Sequence, residues 1–525
     1  MPGDKDDALH NGVADDGLPP SMKNRTTESV SLAGVTSTSE ELKKVTFDKS
    51  PHVETYTDTM EVSEMTKTNF YTGPTDNVVL RTFRNALTSI WEFITALAAF
   101  LLLLVLLPVL LPLSLSFRIY RRVDEQIIRY KTNGEAAVIK GVDSIWLQDT
   151  PNNRAIINAI LAAKGQGDVI KWREILLKKF VLAKNDHGEI LFPKLREYPT
   201  TLLHRYIWMP EKDFDIANHV YMYDGLPLKN KKDLEECVGK LSQRAFKKRQ
   251  AQWEVIVIPP TKDAGGTYYA LFRAHHSIAD GISFVRAFLQ NLVDNPLKEE
   301  ETKRYASTVS KTWFTIAAIF FGPKLALQRL AAVGDHSCLH GREMSGVKLV
   351  TWSDPISLAL VKKIKNATKT TVNDVLMSCM AGAFTDYFAS RKEIPPTHLL
   401  TTIPVALQAA SEEISLENRF SLVFLRLPTS ISDDIERLRV TKQRMDAIKR
   451  TPEPLVNEFL IRYSMSRLPG SLTRRLFDGL GRKSSMILSN VPGPQHHIQI
   501  AGSEVTMMTF WPPQRANGSL LPQRS

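Results

Sequence analysis

The chain has 525 residues and is 43% hydrophobic, so it can bury a large core in more than one lobe. Its formal net charge of +11 favours anionic partners such as lipid headgroups or coenzyme A phosphates. Three scattered cysteines do not fit a disulfide framework or a zinc site, which indicates a reducing compartment and no bound metal. The basic runs at 229–232 and 247–249 lack interleaved aromatic residues, so we expect no nucleic-acid partner.

The N-terminal part of the chain combines a polar tail with a membrane segment. Residues 1–80 are rich in Ser, Thr, Asp, Glu and Lys without apolar periodicity, which predicts disorder. We expect no signal peptide, because the residues after Met1 lack an apolar stretch. Phe93 to Phe117 contains no charged residue and is long enough for a hydrocarbon core of roughly 30 Å. Residues 90–117 are therefore predicted to enter the bilayer, an interpretation that this hydropathy favours over a buried helix.

Basic residues on the two sides of this stretch predict its orientation. Those that follow it are Arg118, Arg121, Arg122, Arg129 and Lys131, and those that precede it are Arg81 and Arg84. The positive-inside tendency places the larger C-terminal part in the cytoplasm. Pro108 and Pro112 would kink a spanning helix or mark a re-entrant hairpin, and both geometries stay open.

The most informative segment runs from His275 to Gly281. The preceding residues, 268–274, are aromatic and apolar as in a buried strand, and apolar residues recur at helical spacing over 284–293. The sequence therefore places this segment at a turn between a strand and a helix.

Two histidines, an aspartate and a glycine in this turn are candidate site residues. Consecutive strand residues point to opposite faces, so only one of His275 and His276 can line a given cavity. Asp280 occupies an N-cap position, where its carboxylate suits the helix dipole, and Gly281 allows a tight turn. Metal binding is disfavoured because the histidines diverge and no nearby cluster completes a ligand set.

Further along the chain, residues 313–321 form a second apolar stretch, too short to span a bilayer. A buried helix and an interfacial element that lets a lipid leave the bilayer are equally open interpretations. Thr371 is predicted to N-cap a helix with Asp374 three residues later. Strands are expected at 420–427 and, as its neighbour, at 399–405.

Several of these segments resemble the wax ester synthase/diacylglycerol acyltransferase family. The string HHxxxDG at 275–281 is similar to the signature of acyltransferases with the chloramphenicol acetyltransferase fold. The other segments that resemble family motifs are Asp143 to Leu147, Trp208 with Asp213 to Ile216 and His219-Val220, Thr371 to Leu376, and Ser489 to Pro494. The matches run in the family's order from about residue 140 to Asn517, and the N-terminal membrane segment resembles animal members.

The resemblance implies an α/β fold with two chloramphenicol acetyltransferase-like lobes forming a tunnel, preceded by the disordered N-terminus and one membrane segment. The first lobe would cover residues 140–293. A crossover at 294–347 would carry the second apolar stretch, and the second lobe would cover 348–517.

The resemblance also implies a mechanism. His276 would act as a general base on an alcohol hydroxyl whose oxygen attacks an acyl thioester, without a covalent enzyme intermediate. An imidazole with the ordinary pKa of about 6.5 is mostly neutral at physiological pH and can accept a proton. Asp280 would hold the turn, paired with an arginine, while His275 and Gly281 would support it. Donors near Asn490 would stabilise the oxyanion.

The implied substrates are a long-chain acyl-CoA as co-substrate, with no other cofactor, and a fatty alcohol or a diacylglycerol as acceptor. The sequence does not decide between these acceptors. We expect the enzyme on the lipid bilayer of the endoplasmic reticulum with its catalytic domain facing the cytosol, and the plasma membrane is the alternative.

The chain departs from the family after Asn517. Family members continue through a Gly-rich turn into closing strands, whereas residues 518–525 have no strand pattern. The resemblance therefore predicts a C-terminally shortened form with an incomplete second lobe and a divergent tail. The alternative function is a weakly active or inactive membrane-anchored protein that binds lipid or competes with a complete form.

Overall fold

The computed structural model describes residues 78–139, 141–262, 265–296, 311–335, 337–339, 345–406, 414–464, 470–491, 493–494 and 496–513. Residues 1–77 and the tail at 518–525 lie outside these ranges, so their predicted disorder and divergence stay predictions. Residues 78–80, which were expected to belong to the disordered N-terminus, begin the first helix.

Three sheets and their helices form a mixed α/β fold in two lobes. The α-helices among the described residues are α1 (Val78–Lys131), α2 (Gly141–Ser144), α3 (Val169–Leu176), α4 (Lys231–Gln243), α5 (Gly281–Ala287), α6 (Lys311–Ala331), α7 (Leu358–Ala367), α8 (Val372–Ser390), α9 (Asp434–Lys449), α10 (Glu453–Phe459) and α11 (Gly470–Gly481). The strands are β1 (Ala137–Val138), β2 (Ile156–Lys164), β3 (Glu197–Leu202), β4 (Arg205–Pro210), β5 (Val220–Met222), β6 (Trp253–Ile258), β7 (Thr267–His275), β8 (Leu399–Ala406), β9 (Phe420–Leu427), β10 (Met486–Ile487), β11 (Gln499–Ile500) and β12 (Ser503–Trp511).

The first lobe is built on a six-stranded sheet of order β11-β12-β2-β7-β6-β5. Its central strands β2 and β7 run antiparallel, with Ile156 opposite His275 at one end. Tyr268 of β7 packs in the core with Trp172 of α3 and with Phe288, which follows α5. The predicted strand is confirmed, and it carries the two histidines to the edge of the lobe.

The second lobe contains the sheet of order β10-β8-β9, in which β8 and β9 are antiparallel neighbours as predicted. Thr371 caps α8: its hydroxyl accepts from the Asp374 N–H while the Asp374 carboxylate accepts from the Thr371 N–H. This capping box confirms the predicted helix start. Met377 and Ala381 of α8 pack against Leu425 and Leu427 of β9 in the core of this lobe.

Strand β12 joins the two parts of the chain. The family resemblance implied a second lobe that runs to residue 517, but β12 pairs antiparallel with β2, with Thr509 opposite Ile160, and so belongs to the first sheet. Local periodicity does not encode a pairing between residues so far apart in the chain. The return of β12 to the first sheet ties the C-terminal part of the chain to the strand beside β7.

Helix α1 is continuous through Pro108 and Pro112, so the structure does not contain the re-entrant hairpin that the sequence left open. It is the one helix among the described residues that is long and apolar enough to cross a membrane. The second apolar stretch forms part of α6. Ile316 and Ile319 of this helix are 58% and 62% exposed, which excludes the fully buried interpretation.

Candidate active site

A cavity of about 1510 Å³, its open mouth included, lies between the two lobes and has a mostly apolar lining. Ile157 of β2 and Phe510 of β12 contribute from the first sheet, and Phe424 of β9 contributes from the second. Four of the predicted site residues line it, namely His276, Asp280, Gly281 and Asn490. Such an enclosure suits the hydrocarbon chain of a lipid better than a polar metabolite.

His276 follows the last residue of β7 and is 8% exposed. Its Nδ1 lies 3.0 Å from Oδ1 of Asn418, and its main-chain N–H donates to the Ala155 carbonyl at 2.7 Å. Because an amide oxygen only accepts, Nδ1 must carry the proton and Nε2 is then the basic nitrogen of the neutral ring. The contact with Asn418 therefore selects the tautomer that a general base needs.

The orientation of the Asn418 amide follows from its other contacts. Its Nδ2 donates to Oδ1 of Asp143 and to the carbonyl oxygen of His276, both at 2.8 Å. Two acceptors at this atom require that it be the nitrogen, so the oxygen faces the imidazole. Lys194 fixes Asp143 in turn, because its Nζ lies 2.8 Å from Oδ2 and also donates to the carbonyls of Ile278 and Leu416 at 2.9 Å.

An aromatic wall orients the imidazole plane. The ring of His276 stacks on Trp146 with centroids 3.7 Å apart and meets Phe420 edge-on at 6.4 Å. Trp146 packs with Phe420, Ile461 and Phe477 in a cluster that joins the two lobes. The imidazole is therefore held between an amide on one ring edge and apolar surface on its face.

Asp280 has the structural place that the sequence predicted. It caps α5, accepting from the Ser283 N–H at 2.8 Å, and its other oxygen accepts from the main-chain N–H of Arg419 at 2.8 Å. Arg419 is thus an arginine that meets Asp280, and it contributes a backbone donor. Burial raises the pKa of Asp280, an effect that the N–H donors of Ser283 and Arg419 oppose without cancelling. The carboxylate links the histidine turn to the second lobe.

His275 lies on the other face of the strand end, as predicted. It is 2% exposed, with Nδ1 2.8 Å from the Ser277 hydroxyl and Nε2 3.3 Å from Oδ2 of Asp149. Both ring nitrogens are engaged in polar contacts away from the cavity. This geometry suits the supporting position expected for it.

Gly281 differs from its expected geometry, whereas Asn490 lies at the cavity with a partner that the sequence did not indicate. Gly281 has no positive φ, and a Cβ placed on it would meet no atom within 4 Å, so the turn does not require glycine there. Asn490 lines the cavity while its Nδ2 donates to Oδ1 of Asn373 at 2.6 Å. This contact joins two of the motifs quoted above, the one that begins α8 and the Asn490 turn.

Sequence reasoning missed Asn418, Lys194 and the part played by Trp146. Trp146 lies inside the quoted Asp143 to Leu147 motif, and Asn418 comes two residues before the predicted strand, but neither position signals a contact with a histidine far away in the chain. Among the described residues, no three His, Cys, Asp or Glu side chains are grouped so that they could hold a metal ion.

Comparisons with known proteins identify the family that the chain resembles. The profile of the wax ester synthase/diacylglycerol acyltransferase catalytic domain matches residues 147–335, and that of the WS/DGAT C-terminal domain matches 416–522. Two Mycobacterium tuberculosis proteins, named probable diacyglycerol O-acyltransferase tgs2 and tgs1, are 24% identical over 352 residues and 26% identical over 324 residues. These alignments cover 60% and 57% of this chain and 74% and 69% of the relatives.

A solved structure shares the fold. The wax ester synthase/diacylglycerol acyltransferase from Marinobacter aquaeolei VT8 superimposes with a TM-score of 0.51 at 18% identity, over 73% of this chain and 88% of that protein. The two profiles together cover more than half of the chain. The chain therefore belongs to the wax ester synthase/diacylglycerol acyltransferase family and is an acyltransferase of that type.

Proposed function

We propose that this acyltransferase moves a long-chain acyl group from acyl-CoA to the hydroxyl of a diacylglycerol or a fatty alcohol, with His276 as general base. The observation that carries the proposal is the contact of His276 Nδ1 with Asn418, which leaves Nε2 as the basic nitrogen at an apolar cavity. The names of the mycobacterial relatives favour diacylglycerol as acceptor, and the family name includes wax ester synthesis.

The reaction balances without a cofactor. Nε2 of His276 takes the hydroxyl proton while the hydroxyl oxygen attacks the thioester carbonyl carbon. Collapse of the tetrahedral intermediate breaks the carbon–sulfur bond, and the imidazolium returns its proton to the coenzyme A thiolate. The Trp146 face and the apolar lining keep water from competing with the acceptor alcohol.

Asn490 is proposed as a donor to the oxyanion of that intermediate. Asn490 lines the cavity, and its Nδ2 carries two hydrogens, of which the contact with Asn373 uses one. Asp280 would contribute by holding the turn rather than by exchanging protons with substrate, because its two oxygens accept from backbone N–H groups.

We further propose membrane association on the endoplasmic reticulum, with the catalytic domain facing the cytosol. The apolar part of α1 and the basic residues that follow it support this location. The likeness to animal members stays a prediction.

An assay of microsomes that contain the full chain tests the function. Labelled acyl-CoA is supplied with either a diacylglycerol or a fatty alcohol, and we expect labelled triacylglycerol, wax ester or both. The matched sample carries His276→Ala. Release of free fatty acid without ester in both samples would contradict the proposal.

A further inference from the structure

Helix α1 is attached to the folded domain near both ends of its apolar stretch. At the N-terminal side, Phe93 and Phe100 lie against Phe320 of α6, with ring centroids 5.5 and 5.6 Å apart, and Lys324 Nζ donates to the Glu92 carbonyl at 3.1 Å. These contacts place the start of the charge-free region on α6.

The other end of the stretch has an equally specific attachment. Asp124, 8% exposed, pairs with Arg205 of β4 at 2.8 Å, and the Arg205 guanidinium lies 5.0 Å from the centre of the Tyr120 ring. Ile128, one turn further on, is 1% exposed. The helix therefore meets α6 and the small sheet of β1, β4 and β3 at two separate places.

Between these attachments, one face of α1 is less exposed than the opposite face. The less exposed positions recur three or four residues apart, at Ala96, Ala99, Leu103 and Leu107. The other side carries long apolar side chains such as Val105, 73% exposed, and Val109, 66% exposed. A helix with this division of faces lies along the domain.

The length of the helix decides between crossing the membrane and lying on it. Glu92 and Asp124 are separated by roughly 48 Å at 1.5 Å per residue, which exceeds a hydrocarbon core of roughly 30 Å. If α1 crossed, α6 and β4 would stand on opposite sides of the bilayer. Both belong to one compact unit of the chain, so a crossing would break one of the two attachments or draw the folded domain into lipid.

We propose that α1 lies in the plane of one leaflet, with its exposed apolar face in the lipid and its other face on the domain. The surface continues onto α6, where Ile316, Ile319 and Leu330 are also exposed. Exposed basic residues close the apolar stretch at Arg118 and Arg122, a position that suits anionic headgroups.

This placement brings the cavity to the membrane. Arg329, on the C-terminal turn of α6, lines the cavity and lies 4.2 Å from the centre of the Phe424 ring. Leu327 and Leu330, beside it on the same helix, are 47% and 58% exposed. The exposed apolar faces of α1 and α6 are therefore covered by a lipid leaflet, which can pass an acceptor lipid to the cavity beside Arg329.

Protease protection on the full chain tests the topology. Epitopes are placed at Met1 and at Ser525, and protease is added to sealed microsomes. The in-plane arrangement predicts that both epitopes are lost without detergent, since both helix ends stay on one side. Protection of the Met1 epitope until detergent is added would overturn the proposal.

Cross-linking tests the two attachments in the same membranes. The cysteine pairs Glu92→Cys with Lys324→Cys and Asp124→Cys with Arg205→Cys are made separately in a chain without its three native cysteines, and each is treated with a short bis-maleimide. A protease site inserted after the exposed Gly188 lies between the partners of both pairs, so a cross-link keeps the two fragments together on a denaturing gel. Both pairs should cross-link, and failure of either one while the other reacts overturns the in-plane geometry.

A vesicle test addresses the partner. Purified full chain is floated with vesicles containing phosphatidylserine, and Val105→Glu should reduce the bound fraction about tenfold because it places a charge on the lipid face. Val105→Ala keeps the surface apolar and should bind as the parent does. Equal binding of the glutamate and alanine variants would refute a lipid-facing position.

Discussion

His275 and His276 are neighbours in the chain, yet the two faces on which they lie have opposite character. The face of His275 is polar and closed, since the Ser277 hydroxyl contacts its Nδ1 and the Asp149 carboxylate contacts its Nε2. The face of His276 is an apolar cavity, and one amide oxygen contacts Nδ1. The pleat of the strand end therefore gives two identical side chains different chemistry, and the contacts of each ring determine which one can serve as a base.

Substitution of His276 is the most direct test of the difference between the two histidines. His276→Ala should lower ester formation by about 10²–10⁴-fold, because it removes the proton acceptor, while expression and membrane attachment stay intact. The measurement is the initial rate with labelled acyl-CoA in microsomes. His275→Ala should cost less activity, and equal losses in the two variants, or retained activity in His276→Ala, would contradict the assignment.

The contacts of Lys194 with Asp143 and two backbone carbonyls should contribute to the stability of the fold. Lys194→Met removes the donor that holds Asp143 and two backbone carbonyls in a site where the Lys194 side chain is 15% exposed. Breaking a buried pair on one side costs roughly 3–5 kcal/mol of unfolding free energy. Thermal unfolding measures it. The matched control is Lys164→Met, whose pair with Glu504 is exposed and screened by solvent, so its loss should leave the unfolding temperature nearly unchanged.

A comparable loss in both lysine variants would show that the Asp143 site has no special part in stability. A large loss in Lys194→Met alone would support the chain of contacts that runs from Lys194 through Asp143 and Asn418 to the imidazole.

A substitution of Asn418 tests whether this residue acts by orienting the His276 imidazole or only by filling space. Asn418→Leu keeps a similar volume but removes the acceptor at Nδ1 together with the donor to Asp143 and to the His276 carbonyl. The ring can then adopt the unproductive tautomer, and kcat should fall by about 10-fold or more. KM should change little, since Asn418 is not among the residues that line the cavity.

The double variant gives the decisive readout for Asn418. If Asn418 acts through the imidazole, adding Asn418→Leu to His276→Ala should leave the residual rate unchanged. A further drop of the same size in the double variant would show that Asn418 acts on the fold or on substrate instead.

Local patterns predicted the strand-turn-helix segment, the N-cap at Asp280, the capping box at Thr371 and the neighbouring strands β8 and β9. Each of these depends on residues close together in the chain, where periodicity and capping chemistry act. The family motifs then indicated which of the two histidines to examine.

Long-range contacts were not predictable in the same way. Asn418 contacts His276, which lies 142 residues earlier in the chain. Strand β12 pairs with β2, although its own sequence contains no pattern that predicts this partner. The two attachments of α1 are of the same kind, because hydropathy measures how apolar a segment is and not which domain surfaces its ends contact. These features arise from the packing of the lobes.

The smallest expected effect lies at Gly281, on the cavity side of the turn. With no positive φ and no atom within 4 Å of a Cβ, Gly281→Ala should fold without strain and gain about 0.4–1 kcal/mol, because alanine has less conformational freedom to lose. Gly382→Ala is the contrasting control, since its Cβ would come within 2.6 Å of the Arg437 guanidinium. Chemical denaturation of the two variants should move the unfolding midpoint in opposite directions. If Gly281→Ala is destabilised as much as Gly382→Ala, the turn needs glycine after all, and the difference between the two faces of the strand end would then rest on backbone geometry as well as on side-chain contacts.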